Sequence, residues 1–165
     1  MAIYYIRPDG NNTNAGTGPA TNQAWATIQK ALGATGIGSG DTVYIAPGLY
    51  GEQVTIGGTY STTTNIVGDP TASQFSGVSA GRVQIGAYNN LNNAPLYTGA
   101  TISGTSKSNL VFTSIEFLLS AGIISNAGIY FASSQNNTFN KCVFQDCARS
   151  GHMLSFVPAA STALN

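Results

Sequence analysis

Apolar residues fall along this chain in short bursts separated by glycine, asparagine, serine, threonine and proline. Ile3 to Ile6 is the first burst; it meets Arg7-Pro8-Asp9-Gly10, and the stretch through Pro19 is then almost wholly Gly, Asn, Thr and Pro. That pattern predicts a strand followed by a loop. Trp25, Ile28 and Leu32 then stand at i, i+3 and i+7, with Ala24 and Ala31 alongside, which is the period of one amphipathic helix. Asn22 or Thr21 would be its N-cap, and Gly33 and Gly36 would stop it, since glycine takes the left-handed conformation without a Cβ penalty. After Gly38-Ser39-Gly40-Asp41 the helical period does not return. Short β-rich segments follow at 42–46, 54–56, 65–67, 83–85, 110–112 and 142–144, divided by turn-forming residues.

Many short strands suit a sandwich or a barrel as well as other all-β designs, and an internal repeat chooses between them. Laying 98–117 over 125–144 brings Ile102 onto Ile129, Phe112 onto Phe139, Ile115 onto Cys142 and Phe117 onto Phe144. The same offset, from 102 to 129, puts Asn109 on Asn136 and Ser106 on Ser133. Extended forward, it places Phe156 over Ile129; extended back, it places Ile85 under Phe112. A fixed period in this range marks a solenoid, whose repeats stack because one alone cannot bury its apolar face. Leucine-rich and helical repeats do not match the composition, so the expected fold is all-β, a right-handed single-stranded parallel β-helix. Residues 1–40 would supply a strand, a loop and a capping α-helix whose Trp25, Ile28 and Leu32 cover the first coil, and residues 41–165 the coils themselves. Asn109 and Asn136 would form a ladder at a coil's turn, where asparagine tolerates left-handed backbone.

The opening residues carry a resemblance as well. Tyr4-Tyr5-Ile6, Asp9-Gly10, Gly16-Thr17-Gly18, Trp25-Ala26-Thr27-Ile28-Gln29-Lys30-Ala31-Leu32 and Gly40-Asp41-Thr42-Val43-Tyr44-Ile45-Ala46-Pro47-Gly48-Leu49-Tyr50 together resemble the start of pectin-lyase-like parallel β-helix proteins. The resemblance covers residues 3–56 closely and the remainder by repeat pattern alone. It implies a β-helix, in a family that includes secreted polysaccharide-active proteins and phage tail fibres or tailspikes.

Composition narrows the partners. Only 7% of residues are charged against 42% hydrophobic, with six basic and six acidic side chains. No basic stripe is present to displace counterions from a phosphate backbone, so nucleic acid is not an expected partner. No apolar run approaches the roughly 20 residues of a spanning helix, and no secretion signal is read at the start. Cys142 and Cys147 are too few for a disulfide framework or a zinc site and are expected as free thiols. No metal and no cofactor is expected.

Enzymes of the resembled family use clustered acids on one face of the coils, sometimes with calcium and a basic residue. Here the acids are Asp9, Asp41, Glu52, Asp69, Glu116 and Asp146. Projected by the repeat, Glu116 meets Val143 and Asp146 meets Leu119, so neither finds a carboxylate neighbour. Asp41 and Asp69 sit in turn contexts. His152, the only histidine, has no nucleophile elbow around it and is expected in a solvated loop. No catalytic set is therefore assigned. Tyr88, Tyr97 and Tyr130 are candidates for a sugar-stacking face, although simple packing accounts for them as well.

The functional expectation is a virion structural or receptor-binding module, a phage tail-fibre, tailspike or capsid-associated β-helix contacting host surface polysaccharide. It would be assembled in the host cytoplasm as a homo-oligomer, a trimer for preference, or be covered at its C-terminal end by other virion proteins, because the repeat runs out inside a coil. The alternatives are a fragment of a polysaccharide lyase or glycoside hydrolase and an extracellular bacterial adhesin.

Overall fold

A computed structural model describes residues 1–86, 88–89, 94–95, 100–118, 129–145 and 154–157, the backbone alone at 88–89, 94–95 and 154–157. Among these residues, fifteen strands and one five-residue helix make up the regular structure. Strand β1 (Ile3–Ile6) precedes helix α1 (Ile28–Leu32), and then come β2 (Thr42–Ile45), β3 (Gly48–Tyr50), β4 (Val54–Thr55), β5 (Thr64–Gly68) and β6 (Val83–Ile85). A two-strand antiparallel hairpin, β7 (Tyr88–Asn89) and β8 (Ala94–Pro95), interrupts the series. It resumes with β9 (Ile102–Thr105), β10 (Leu110–Thr113), β11 (Glu116–Leu118), β12 (Ile129–Ala132), β13 (Thr138–Asn140), β14 (Val143–Gln145) and β15 (Leu154–Val157).

Apart from the hairpin, every strand lies in one of three parallel sheets. The first is ordered β1-β2-β5-β10-β13, the second β3-β6-β11-β14 and the third β4-β9-β12-β15. From β2 onward the chain visits first, second and third sheet in turn and repeats that circuit until β15. The protein is thus dominated by parallel β-structure with very little helix. Parallel pairing of strands that follow one another at short range is feasible here because each chain segment turns through two other sheets before returning.

Register puts like on like along three apolar columns. In the first sheet Tyr4, Val43, Ile66, Phe112 and Phe139 are successive partners. Tyr50, Ile85, Phe117 and Phe144 form the column of the second, and Val54, Ile102, Ile129 and Leu154 that of the third. Strands alternate their side chains, so burying one face requires period two, and β2, β5 and β10 follow it: Val43, Ile45, Ile66, Leu110 and Phe112 are buried while Thr42, Tyr44, Asn65 and Val111 are less so. The facing columns close one core, with Phe112 parallel to Phe139 at 5.1 Å and Phe117 parallel to Phe144 at 5.4 Å, and edge contacts between the two stacks.

Two extrapolations of the repeat offset fail. Ile129 pairs with Leu154 and it is Phe131 that pairs with Phe156, because that circuit is shorter than the one from Ile102 to Ile129. Phe112 lies on Ile66, while Ile85 lies beneath Phe117. The circuits preceding the matched pair have other lengths again: the one from Thr42 to Asn65 is shorter, and the one from Thr64 to Leu110 is much longer. The surplus sits between β5 and β6 and between β6 and β9, outside the strands of the three parallel sheets.

The turns repeat more faithfully than the lengths. Ser106 and Ser133, Asn109 and Asn136, and Ser114 and Lys141 all have φ between 51° and 62°, and each pair is separated by the repeat offset. A left-handed residue reverses the chain's course at a corner, at a steric cost of about 1–2 kcal/mol for a side chain other than glycine. The N–H groups of Ser106, Asn109 and Ser114 bond to the carbonyls of Ala132, Gln135 and Asn140, so even at corners the backbone stays paired between circuits.

The helix differs from the sequence-based expectation in length and start. It begins at Ile28 with Thr27 as N-cap, whose hydroxyl accepts from the Lys30 N–H at 3.1 Å; neither Thr21 nor Asn22 caps it. Trp25 precedes the helix in extended backbone, paired with β1 through a parallel bridge to Ile6. Its N–H donates to Tyr5 O and its carbonyl accepts from Arg7 N–H, so backbone pairing with β1 overrides the helical spacing of its side chain. Ile28, Ala31 and Leu32 are fully buried. Gln29 pairs its side-chain amide with both backbone groups of Thr55, at 2.7 and 3.0 Å. That amide stands where a neighbouring strand would lie on the edge of the third sheet.

Candidate functional site

The residues singled out by sequence fall into three places. Trp25 is buried, its ring stacked on Tyr4 at 5.0 Å and its Nε1–H donating to Asn14 O at 2.9 Å; with Ile28 and Leu32 it belongs to the core. The stacked core residues Ile102, Ile129, Phe112, Phe139, Ile115, Cys142, Phe117 and Phe144 line the three columns or pack directly on them. Asn109 and Asn136 lie at a corner, where the Asn136 Nδ2 donates to Asn109 Oδ1 at 3.4 Å and Asn109 Nδ2 donates to Tyr60 O at 2.9 Å. Cys142 is a free thiol, and burial pushes its pKa up, away from a reactive thiolate. Cys147, Asp146, His152, Tyr97 and the Tyr88 side chain lie outside the described residues. Tyr130 is exposed on β12, with neither of those rings described beside it.

Each described carboxylate accepts hydrogen bonds that hold the fold. Asp9 takes the Arg7 guanidinium, which holds its pKa below the usual range. Asp41 accepts from the backbone N–H of Ala2 and of Gly38. Glu52 reaches across to the first turn of α1 and accepts from Ile28 N at 2.7 Å and Gln29 N at 2.9 Å, satisfying two of the N–H groups every helix start leaves open. Burial raises its pKa against the pull of those two bonds.

Asp69 opens the loop after β5 and accepts from Thr71 Oγ1 at 2.8 Å, Gln74 N at 2.7 Å and the Ser73 hydroxyl. Burial works to raise its pKa, yet these bonds together outweigh it and hold the carboxyl below its ordinary 3.8. A depressed folded-state pKa means stability that is complete above the unfolded value and disappears as pH falls through the folded one. Asp69→Ala should therefore lower stability at pH 7 by about 1–3 kcal/mol, and the gap to wild type should close below pH 3.8. Thermal melts of both proteins across that range check it; a gap independent of pH would mean that charge plays no part in the loop.

Glu116 is different, because it faces outward. Along the outer face of the second sheet the register runs Leu49, Gln84, Glu116, Val143. Leu49 and Val143 are 52% and 50% exposed, whereas Glu116 is 7% exposed. Arg82, from the segment just before β6, donates Nη1 to its Oε1 at 3.1 Å and Oε2 at 3.4 Å, and Gln84 Nε2 donates to Oε2 at 3.0 Å. The Arg82 side chain itself remains 69% exposed. A nearly buried carboxylate held by an exposed guanidinium gains little net stability from the pair, but its geometry is fixed.

This carboxylate stands in an open cleft of about 390 Å³. Val143 provides its exposed apolar surface, Val83 and Ile115 at its wall being almost wholly buried; Pro70 and Arg82 come from the strand-flanking segments, and Ser114, Lys141 and Gln145 from the corner and edge opposite. Its formal charge is one net positive, Arg82 and Lys141 against Glu116. Sequence reasoning missed the cleft. The repeat leaves Glu116 without a carboxylate neighbour, and its partner Arg82 comes from an insertion that the repeat does not contain. No group of three or more His, Cys, Asp or Glu among the described residues lies together as a metal site. A scan against protein-family models gives no match to this sequence, and searches of curated proteins and of solved structures return none either.

Proposed function

We propose that the repeated circuits are coils of a right-handed parallel β-helix, with Trp25 and α1 as its N-terminal cap, serving as a structural or receptor-binding module of virion type. Gln29 on the open edge of the third sheet, and the segment around Trp25 paired with β1, support the capping role. The observation that carries the functional reading is the use of the acids: Asp9, Asp41, Glu52, Asp69 and Glu116 each accept hydrogen bonds that hold loops, a helix start or neighbouring side chains. A scaffold whose described carboxylates serve its architecture presents a surface for binding. On this reading the outer face contacts a surface polysaccharide, and the module works as a homo-oligomer, a trimer for preference, or beside other virion proteins.

The test separates binding from turnover. Protein shown by sedimentation to be oligomeric should be retained on immobilised bacterial surface polysaccharides and should release neither reducing ends nor unsaturated uronates from them. Product accumulating with time would replace this reading with a polysaccharide lyase or hydrolase, and a stable monomer that no polysaccharide retains would remove it altogether.

A further inference from the structure

We infer that Tyr5 and Tyr44 form a modification site, at which a one-electron oxidant, a haem peroxidase with hydrogen peroxide, joins the two rings as dityrosine. This inference is independent of the polysaccharide-binding reading. The two residues are register partners on the adjacent parallel strands β1 and β2, so both side chains leave the same, outer face of the first sheet. Their rings stack with centroids 6.0 Å apart and planes inclined by 29°. Among the described residues no other two tyrosines stand in ring contact: Tyr4 lies on Trp25, while Tyr50 and Tyr60 are buried. Tyr5 and Tyr44 are each partly exposed, which gives an oxidant access to both phenols.

The backbone keeps the pair from drifting apart. Thr42 N–H donates to Ala2 O at 3.0 Å and Ala46 N–H to Ile6 O at 2.8 Å, so bonds between the strands lie on both sides of the tyrosines. On its other edge Tyr5 N–H donates to Gly16 O, and its carbonyl accepts from Trp25 N–H. Phe75, buried in the loop after β5, meets the Tyr5 ring edge-on at 5.8 Å and restrains it from swinging off its partner. Two phenols held this close react as parts of one molecule, the advantage that proximity confers. Each phenol gives up one electron and one proton, and the two radicals couple between ring carbons ortho to the hydroxyls. The hydrogen at each newly bonded carbon then moves to that ring's own oxygen, which restores both phenols. The two electrons and two protons reduce one peroxide to two molecules of water. The new bond closes residues 5–44 into a loop that contains Trp25 and α1, so the first strand can no longer peel from the second.

Mild oxidation of the dilute protein by a haem peroxidase and hydrogen peroxide tests the assignment, read by dityrosine fluorescence, denaturing gels and peptide mapping by mass spectrometry. Wild type should give a fluorescent product that runs as a single chain, is lighter by two hydrogen atoms, and yields a peptide joining Tyr5 to Tyr44. Tyr5→Phe and Tyr44→Phe keep the ring stack and should each cut that product about tenfold or more, with the unfolding midpoint of the unoxidised protein unchanged. Tyr130→Phe, which removes an exposed phenol from another sheet, should leave the yield as it is. The cross-linked chain should melt about 5 °C or more above the untreated one, because the closed loop confines the unfolded state. Fluorescence confined to linked pairs of chains, a single-chain product that survives Tyr5→Phe or Tyr44→Phe, or a cross-linked chain that melts no higher overturns the assignment.

Discussion

Phe112→Ala should lower folding free energy by about 3–5 kcal/mol, read as a fall in the denaturant midpoint at constant slope. Phe112 is fully buried at the middle of the first sheet's column, between Ile66 and Phe139. Its ring lies flat on Phe139 and meets Phe117 at 6.0 Å and Phe131 at 6.4 Å. The strands on either side are held by backbone ladders, so the space left by the ring cannot close, and the cavity adds to the lost transfer free energy. Phe112→Leu keeps most of the volume and should cost only about 1–2 kcal/mol. An alanine variant within about 0.5 kcal/mol of wild type, the size of a neutral surface change, would mean that the columns are not what holds the circuits together.

Trp25→Ala should be nearly as damaging, about 3–5 kcal/mol, although Trp25 lies in no strand. The indole covers Tyr4 at the start of the first column, donates to Asn14 O, and packs so close to Gly16 that a Cβ there would lie 2.3 Å from the ring. Removing it withdraws the cover from the column and the anchor from the loop at once. Trp25→Phe keeps the stacking and loses the hydrogen bond, a change of about 1 kcal/mol. A Trp25→Ala protein that melts like wild type but no longer attaches to polysaccharide would instead place the indole in the binding surface and refute its structural role.

How far the sequence can be read depends on where its regularity lies. Ile102 with Ile129 and Phe117 with Phe144 are legible because the two circuits that hold them match in length without insertion, and bulky residues in a column leave an offset the eye can find. Ile66 under Phe112 is not, because the intervening circuit runs all the way from Thr64 to Leu110 and no fixed period survives that. Trp25 is legible as a buried residue yet misplaced, since its side chain keeps helical spacing while its backbone pairs with β1. The left-handed Lys141 above Ser114 carries no compositional signal, lysine being an unusual choice for that backbone. The cleft is hidden for a related reason: Glu116 belongs to the repeat, Arg82 to an insertion, and only the fold brings them together.

Circuits of unequal length share one strand register. Growth of the chain between β5 and β6, or between β6 and β9, therefore leaves the ladders untouched, and selection can lengthen, shorten or exchange those excursions while the scaffold stays the same. Arg82 arises from one such excursion, so the outer face of the second sheet can diversify at the pace of its loops without any renegotiation of its interior.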